Sequence, residues 1–373
     1  MKNNTRILII ANNDAGIYLF RKELIERFNE EGFETHILTP DTGFTDRLAE
    51  LRVNIHLSDI ERRGTNPLKD MSLYKSYKAA IRQICPDVIL TYTIKPVVYG
   101  GVAGRRLKVP VLANITGIST AMEEGGLLRT LLTCMYRAGL KGAECIFFQN
   151  STNMELMNRL KCVPKNVKTV LLPGSGVNLK EHEVKPYPSE EDGICLLYVG
   201  RLSDKKGSYE LLTMIDRVHT IDPRVTLDLV GGYEKGFEEK YAPIVEKLEE
   251  MGTVRFTEFI ADVRPFYEKC HALVHPTYME GMSNVIQEAA ACGRPVITSD
   301  IPGCKEIYEN GVGGIGFEPQ DENALTEAVL EFTGMSHEDK EKMGAAARKY
   351  VELHFDRNIV VGRYMDCIRR IME

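Results

Sequence analysis

Short apolar runs alternate with longer amphipathic stretches over most of the chain. Residues 6–11 carry Ile-Leu-Ile-Ile-Ala, and 17–31 repeats Tyr18, Leu19, Leu24, Ile25 and Phe28 at helical spacing before Gly32. A second run follows at 34–39. The same alternation predicts strands at 88–92, 109–115, 144–149 and 167–172, with helices at 70–85, 96–107, 125–140 and 151–160 between them. A polar, proline-bearing stretch at 180–193 interrupts the pattern, which then restarts. Strands are predicted at 194–199, 225–230, 254–256, 272–275, 295–298 and 313–317, and helices at 208–220, 237–251 and 262–269. From 323 onward the chain reads as helical, ending in a helix at about 357–372. Runs that are apolar throughout, rather than at every second residue, belong to parallel strands covered on both faces.

Strand–helix alternation predicts an α/β fold, and its restart predicts two doubly wound, Rossmann-like domains. A chain of 373 residues also exceeds what one core serves. The expected division is 1–180, a linker at 181–193, a second domain at 194–355, and a final helix at 356–373 that packs back on the first domain. Two such domains facing across a cleft would gather the loops at the C-terminal ends of their strands, where ligands of these sheets bind.

Composition narrows the setting. No stretch is apolar for eighteen residues, so no membrane-spanning helix is expected, and the run at 6–11 is too short for a signal segment. The nine cysteines are scattered and none form a C-x-x-C pair, which reads as reduced thiols in a cytoplasmic protein. The net charge of −6 is unevenly distributed: residues 1–190 hold 26 Lys+Arg against 20 Asp+Glu, and the remainder 21 against 33. Lys95, Arg105, Arg106, Lys108, Arg129, Arg137 and Lys141 face only Glu123 and Glu124 within 95–141. A basic face of this kind suits a phosphate-bearing substrate or anionic lipid. The amphipathic segment 125–140 reads as core rather than as an anchor.

The chemistry concentrates at Glu280-Gly281-Met282-Ser283-Asn284, which leads into a helix carrying Glu288. Ser283 or Asn284 is suited to cap that helix. The free N–H groups of Met282, Ser283 and Asn284 would then make an anion site backed by the helix dipole. Arg201 and Lys206 flank another loop, closed by Gly207, and supply a guanidinium fork and a mobile ammonium for phosphate oxygens. His271 and His275 lie four apart in a strand, too far apart to share a metal easily, and no Asp-x-Asp pair occurs.

The ordered set Gly200-Arg201…Lys206-Gly207, Gly231-Gly232, Glu280-(x7)-Glu288, Cys292-Gly293-x-Pro295-Val-Ile, Gly303-x-x-Glu306 and Glu318-Pro-x-Asp321 resembles glycosyltransferase family 4. The resemblance is strong over about 193–321 and weaker in the first half. It implies the GT-B fold and retaining transfer from a UDP-sugar without a metal or other cofactor. By the same resemblance Arg201, Lys206 and Glu280 serve catalysis. Glu280 holds hydroxyls of the sugar, Glu288 binds the ribose, and Gly281, Met282, Ser283 and Asn284 lie close to sugar and phosphate. Gly16 lets the first loop approach the phosphates, and the backbone at Phe259-Ile260 holds the base. Thr91-Tyr92-Thr93-Ile94-Lys95-Pro96 and Gly117-Ile118 resemble a subgroup that extends polyprenyl-diphosphate-linked saccharides for capsule, O-antigen or glycan assembly.

That subgroup implies a hexose or N-acetylhexosamine as cargo, an anionic membrane surface as partner, and a peripheral place on the inner face of the cell membrane. No nucleic acid is implied. One departure stands out. Many family members carry a histidine where this chain has Thr116. Thr93, Lys95, Asn114 and Thr116 itself are the candidates on the acceptor side. A UDP-N-acetylglucosamine 2-epimerase-like isomerase is the rival reading, since it shares the architecture.

Overall fold

The computed structural model describes residues 5–58, 67–119 and 121–373. The chain forms two compact units: residues 1–175 together with 358–373, and residues 176–357. In the first, strands β1 (Arg6–Ile10), β2 (Glu34–Thr39), β3 (Asn54–Leu57), β4 (Val88–Tyr92), β5 (Val111–Ile115), β6 (Ala143–Phe148) and β7 (Lys168–Leu171) make one sheet in the order β3-β2-β1-β4-β5-β6-β7. In the second, β8 (Ile194–Val199), β9 (Val225–Val230), β10 (Val254–Thr257), β11 (Ala272–His275), β12 (Val296–Ser299) and β13 (Gly314–Phe317) are ordered β10-β9-β8-β11-β12-β13. Every ladder is parallel.

Successive residues of a strand point to opposite faces, so a strand covered on both sides is apolar at every position. Ile7 and Ile9 pack with Leu24, Ile25 and Phe28 of the helix Asp14–Glu30 and with Val360, Tyr364 and Ile368 near the chain's end. Leu8 and Ile10 pack on the other face beneath Leu73, Tyr77 and Ile81 of the helix Pro67–Ile84. In the second unit Leu196 and Tyr198 enter one core and Leu197 the other.

Both sheets reverse direction once. After β1 the chain winds outward through β2 and β3, then returns to place β4 on the other side of β1. The same happens between β8 and β11. At such a switch point the two flanking loops diverge and leave a crevice at the strands' C-terminal ends.

Several sequence-based expectations change. Strand β3 and the short helix Thr45–Ala49 were not anticipated. Strand β3 is the sheet's outer edge and only half-buried, so it lacks the apolar run that marked its neighbours. The segment 181–193, expected as a linker, belongs to the second unit. It is held there by Arg294, which donates to the carbonyls of Lys185 (3.4 Å) and Pro186 (3.0 Å), and by Tyr187, which donates to the His271 carbonyl (2.8 Å). The helix expected over 96–107 opens with a widened i→i+5 turn at Pro96–Gly100 before continuing as Gly101–Leu107. Residues 358–373 group with the first unit. Among the described residues no helix is long and apolar enough to cross a membrane.

Candidate active site

In the second unit the switch point sets two loops side by side. After β8 the chain passes Gly200 and Arg201, makes one tight turn at Asp204–Lys206, and closes at Gly207 with φ +66. A Cβ at Gly207 would fall 1.9 Å from the Pro276 carbonyl oxygen, so glycine is required where this loop meets the end of β11. The Tyr278 N–H donates to the Lys205 carbonyl (3.0 Å) and joins the two loops. Asp204 anchors the turn from beneath by accepting from Lys240 (2.5 Å) and from the Tyr241 hydroxyl.

This junction brings Lys206 onto Glu280. The ammonium bonds the Oε1 of Glu280, and the same oxygen lies 3.2 Å from Nε2 of His275. Both charged groups are half-buried: the side chains are 24% and 18% exposed. Burial pushes the Glu280 carboxyl upward, but the bond from His275 and the charge of Lys206 outweigh it and hold the group down at about 2. Burial pushes the His275 imidazole below its ordinary value despite the carboxylate beside it. Neutral His275 therefore donates its Nε2 proton, leaving Nδ1 as a buried acceptor with no protein partner. Nε2 is also 3.2 Å from Oγ of Ser283.

Ser283 caps the helix Asn284–Ala291 by accepting from the Ile286 N–H (3.4 Å). Its own N–H donates to the Gly303 carbonyl at 2.8 Å. The three outward N–H groups expected at 282–284 are thus reduced, because Ser283 is already engaged. Met282 is buried, and Oδ1 of Asn284 is buried without a protein partner. On the helix, Glu288 accepts from the Tyr267 hydroxyl (2.9 Å). Burial raises its carboxyl, more than His182, Tyr267 and Arg357 lower it. Arg201 is half-exposed and pairs with Glu234 at 3.3 Å. Ile260 lies in the loop after β10, half-buried against the core that contains Met282 and Ile286.

The first unit has its own switch point between β1 and β4. Gly16 sits in the first turn of the helix Asp14–Glu30, and a Cβ there would make only ordinary contacts with Asn13 (3.7 Å). Asp14 is a buried clamp that accepts from the Thr42 N–H (2.8 Å) and the Phe44 N–H (3.0 Å). Burial pushes its carboxyl up, but the Thr42 hydroxyl together with these N–H groups holds it below the usual range. After β4, Thr93 adopts φ +73 with a buried Oγ1 that has no protein partner. A β-branched residue in the left-handed region is strained, and such strain gathers at functional sites. Lys95 is buried and paired with Asp70 at 3.0 Å. Asn114 donates to the Thr91 carbonyl (3.1 Å) and accepts from the Tyr364 hydroxyl, so its amide is engaged within the unit. Thr116 is half-buried just past the end of β5.

His275, which the sequence suggested only as half of a disfavoured metal pair with His271, is the site residue whose place beside Glu280 went unread. It reads as one more position of a buried strand, and the cue was that this strand runs directly into the Glu280 loop. His271 turns elsewhere: its Nδ1 accepts from the Cys195 N–H at 3.0 Å. Among the described residues no three His, Cys, Asp or Glu side chains stand together as metal ligands.

Two Rossmann-like units in one chain, each with a loop cluster at its switch point, define the GT-B fold. A solved structure of Anabaena HepE in complex with UDP and glucose has this fold, matching with a TM-score of 0.80 at 18% identity over 98% of this chain and 99% of that one. Family models described as "Glycosyl transferases group 1" and "Glycosyl transferase 4-like" match residues 193–334 and 6–150, and the chain belongs to this family, glycosyltransferase family 4. Its relatives include the N,N'-diacetylbacillosaminyl-diphospho-undecaprenol alpha-1,3-N-acetylgalactosaminyltransferase of Campylobacter jejuni, 24% identical with 99% of each chain covered. The capsular polysaccharide biosynthesis glycosyltransferase CapM of Staphylococcus aureus is 24% identical over 96% of this chain and 95% of that one.

Proposed function

We propose that this glycosyltransferase moves a hexose or N-acetylhexosamine from a UDP-sugar to a polyprenyl-diphosphate-linked saccharide, with retention of configuration and without a metal. The observation that carries this reading is the Lys206–Glu280–His275 cluster at the switch point of the second unit. The names of two similar proteins support it: the Campylobacter relative acts on a diphospho-undecaprenol-linked acceptor, and the Anabaena neighbour holds UDP and glucose.

Each residue then has a physical task. Departure of UDP places negative charge on the diphosphate, which Arg201 and Lys206 stabilise as it develops. An ammonium has three donors, so Lys206 keeps Glu280 while a phosphate oxygen takes another. Glu280, held ionised, accepts hydrogen bonds from hydroxyls of the transferred sugar. Glu288 is a half-buried carboxylate with one donor, Tyr267, and a ribose diol supplies two more. Gly281 and the unpartnered Oδ1 of Asn284 lie beside sugar and phosphate, and Ile260 lines the base. Glu280 is not assigned as a nucleophile. The acceptor hydroxyl attacks from the face the diphosphate leaves, and its proton passes to the departing phosphate.

The first unit takes the acceptor. Strained Thr93, with its unpartnered hydroxyl, and Thr116 are the polar groups offered there, while Lys95 brings charge only if its pairing with Asp70 opens. Gly16, in the first turn of the helix Asp14–Glu30, presents no side chain where phosphate approaches. The lipid-linked acceptor places the enzyme at the cytoplasmic face of an anionic membrane.

The test is UDP release by purified protein from a panel of UDP-sugars, with and without a polyprenyl-diphosphate-sugar acceptor. Release that depends on the acceptor is expected. Formation of an epimeric UDP-sugar without acceptor would establish the isomerase reading instead.

A further inference from the structure

One helix in the first unit exposes large apolar side chains near its start. The helix Gly126–Leu140 buries Leu132, Tyr136 and Leu140, which accounts for its core-like pattern. Its first two turns also present Leu127 (91% exposed), Leu128 (47%) and Leu131 (49%) to solvent. Leu127 and Leu131 are four apart and lie on one face, and exposed Cys134 continues the row. Three exposed leucines within five residues are not scattered singly, and such a patch marks an interaction site.

Two features identify what covers it. The first is charge. The helix packs over Ala113 and Ile115, and the helices Pro67–Ile84 and Gly101–Leu107 pack over Ile89 and Val111, so all three form one layer on the same sheet face. Together these three carry eight Lys or Arg (Lys69, Lys75, Lys78, Arg82, Arg105, Arg106, Arg129, Arg137) and one acid, Asp70, which is already paired with Lys95. Glu123 and Glu124 lie in the turn before the leucines and do not reverse the balance. The second is position. The helix connects two parallel strands, β5 and β6, so it runs back against them and its N-terminal end lies at their C-terminal edge. The leucines therefore sit at the edge of the sheet that carries Thr93 and Thr116.

We propose that Leu127, Leu128 and Leu131 form a wedge that enters an anionic bilayer, with the basic helical layer resting on its headgroups. Apolar side chains inserted at the interface with cations around them are the two components of stable peripheral binding. The wedge brings the acceptor edge of the first unit down to the level of a lipid-borne diphosphate. This rests on the membrane-embedded acceptor proposed above, but its test needs neither donor nor acceptor.

The chain contains no tryptophan, so Leu127→Trp gives a single fluorescent reporter on the wedge. With vesicles containing phosphatidylglycerol its emission should shift to shorter wavelength and be quenched by brominated acyl chains. With phosphatidylcholine vesicles alone, both effects should weaken. The variant Leu127→Ser/Leu131→Ser, whose fold is checked by its melting curve, should bind anionic vesicles about tenfold or more weakly, since each lost leucine removes buried apolar area. Its turnover on a short-chain, water-soluble acceptor should be unchanged. Emission that stays water-like beside anionic vesicles would overturn the proposal, as would full vesicle binding by the serine variant. A wild-type dimer in solution that the serine variant dissociates would assign the leucines to a second copy of the chain, and would equally overturn it.

Discussion

His275 Nε2 lies 3.2 Å from Oε1 of Glu280 and 3.2 Å from Oγ of Ser283, so one buried imidazole ties the carboxylate to the cap of the helix that carries Glu288. Replacing His275 by Ala should lower kcat/KM for the donor by roughly ten- to a hundredfold, the value of one hydrogen bond to a charged group. His275→Gln can return an N–H near the Nε2 position and should recover much of that loss. Steady-state kinetics on the three proteins decides this. Equal rates in all three would remove His275 from the site.

In the proposed reaction, Lys206→Ala and Arg201→Ala would each take a charge from the departing diphosphate. Losing one such stabilising donor costs about 3–4 kcal/mol, or about a hundred- to a thousandfold in kcat. Lys206→Ala should be the more severe, because it also strips Glu280 of its buried counter-charge, whereas Arg201 is half-exposed. Near-normal turnover in both would refute the assignment.

Glu280 also sets an acid limit on stability. Its carboxyl is held at about 2 in the folded protein against an ordinary 4.5, so the stabilisation it contributes is complete above 4.5 and is lost as pH falls from there toward about 2. Glu280→Gln should therefore have a flatter acid limb in denaturant melts followed across that window. A Gln variant as acid-sensitive as wild type would place the sensitivity elsewhere.

Glu288 runs the other way. Its carboxyl is raised by burial, so its ionised form costs the unliganded protein stability at neutral pH, and the cost is relieved as the group protonates in acid. Glu288→Gln keeps an acceptor for Tyr267 and should melt higher than wild type at neutral pH, with the gain shrinking in acid. The same change should raise the KM for the UDP-sugar. Calorimetry and donor titration read the two effects separately.

Much of this architecture was legible in the sequence because its strands are buried on both faces: Ile7 to Ile10 or Leu196 to Tyr198 allow no other reading as readily. Strand β3 was not legible, since an edge strand needs no apolar run. The Glu280–Glu288 stretch pointed to a site only together with the Arg201/Lys206 loop and the ordered glycines, and the surroundings of the two carboxylates depend on distant chain segments. Lys206 reaches Glu280 only because Gly207 admits the Pro276 carbonyl, and Ser283 loses its free N–H only because Gly303 lies opposite. Asn114 looked available for an acceptor until Tyr364, 250 residues on, bonded its amide oxygen. Tyr364→Phe would leave that buried oxygen without its donor and should cost about 1–3 kcal/mol in urea unfolding.

The proposed reaction is retaining transfer from a UDP-sugar to a lipid-linked acceptor. The most direct measurement is proton NMR of the first product formed from an alpha-linked UDP-sugar and a polyprenyl-diphosphate-sugar, with a chelator present throughout. An alpha-configured glycoside, formed at the same rate with or without chelator, is the expected result. A beta glycoside, or no transfer once metal is removed, would contradict it.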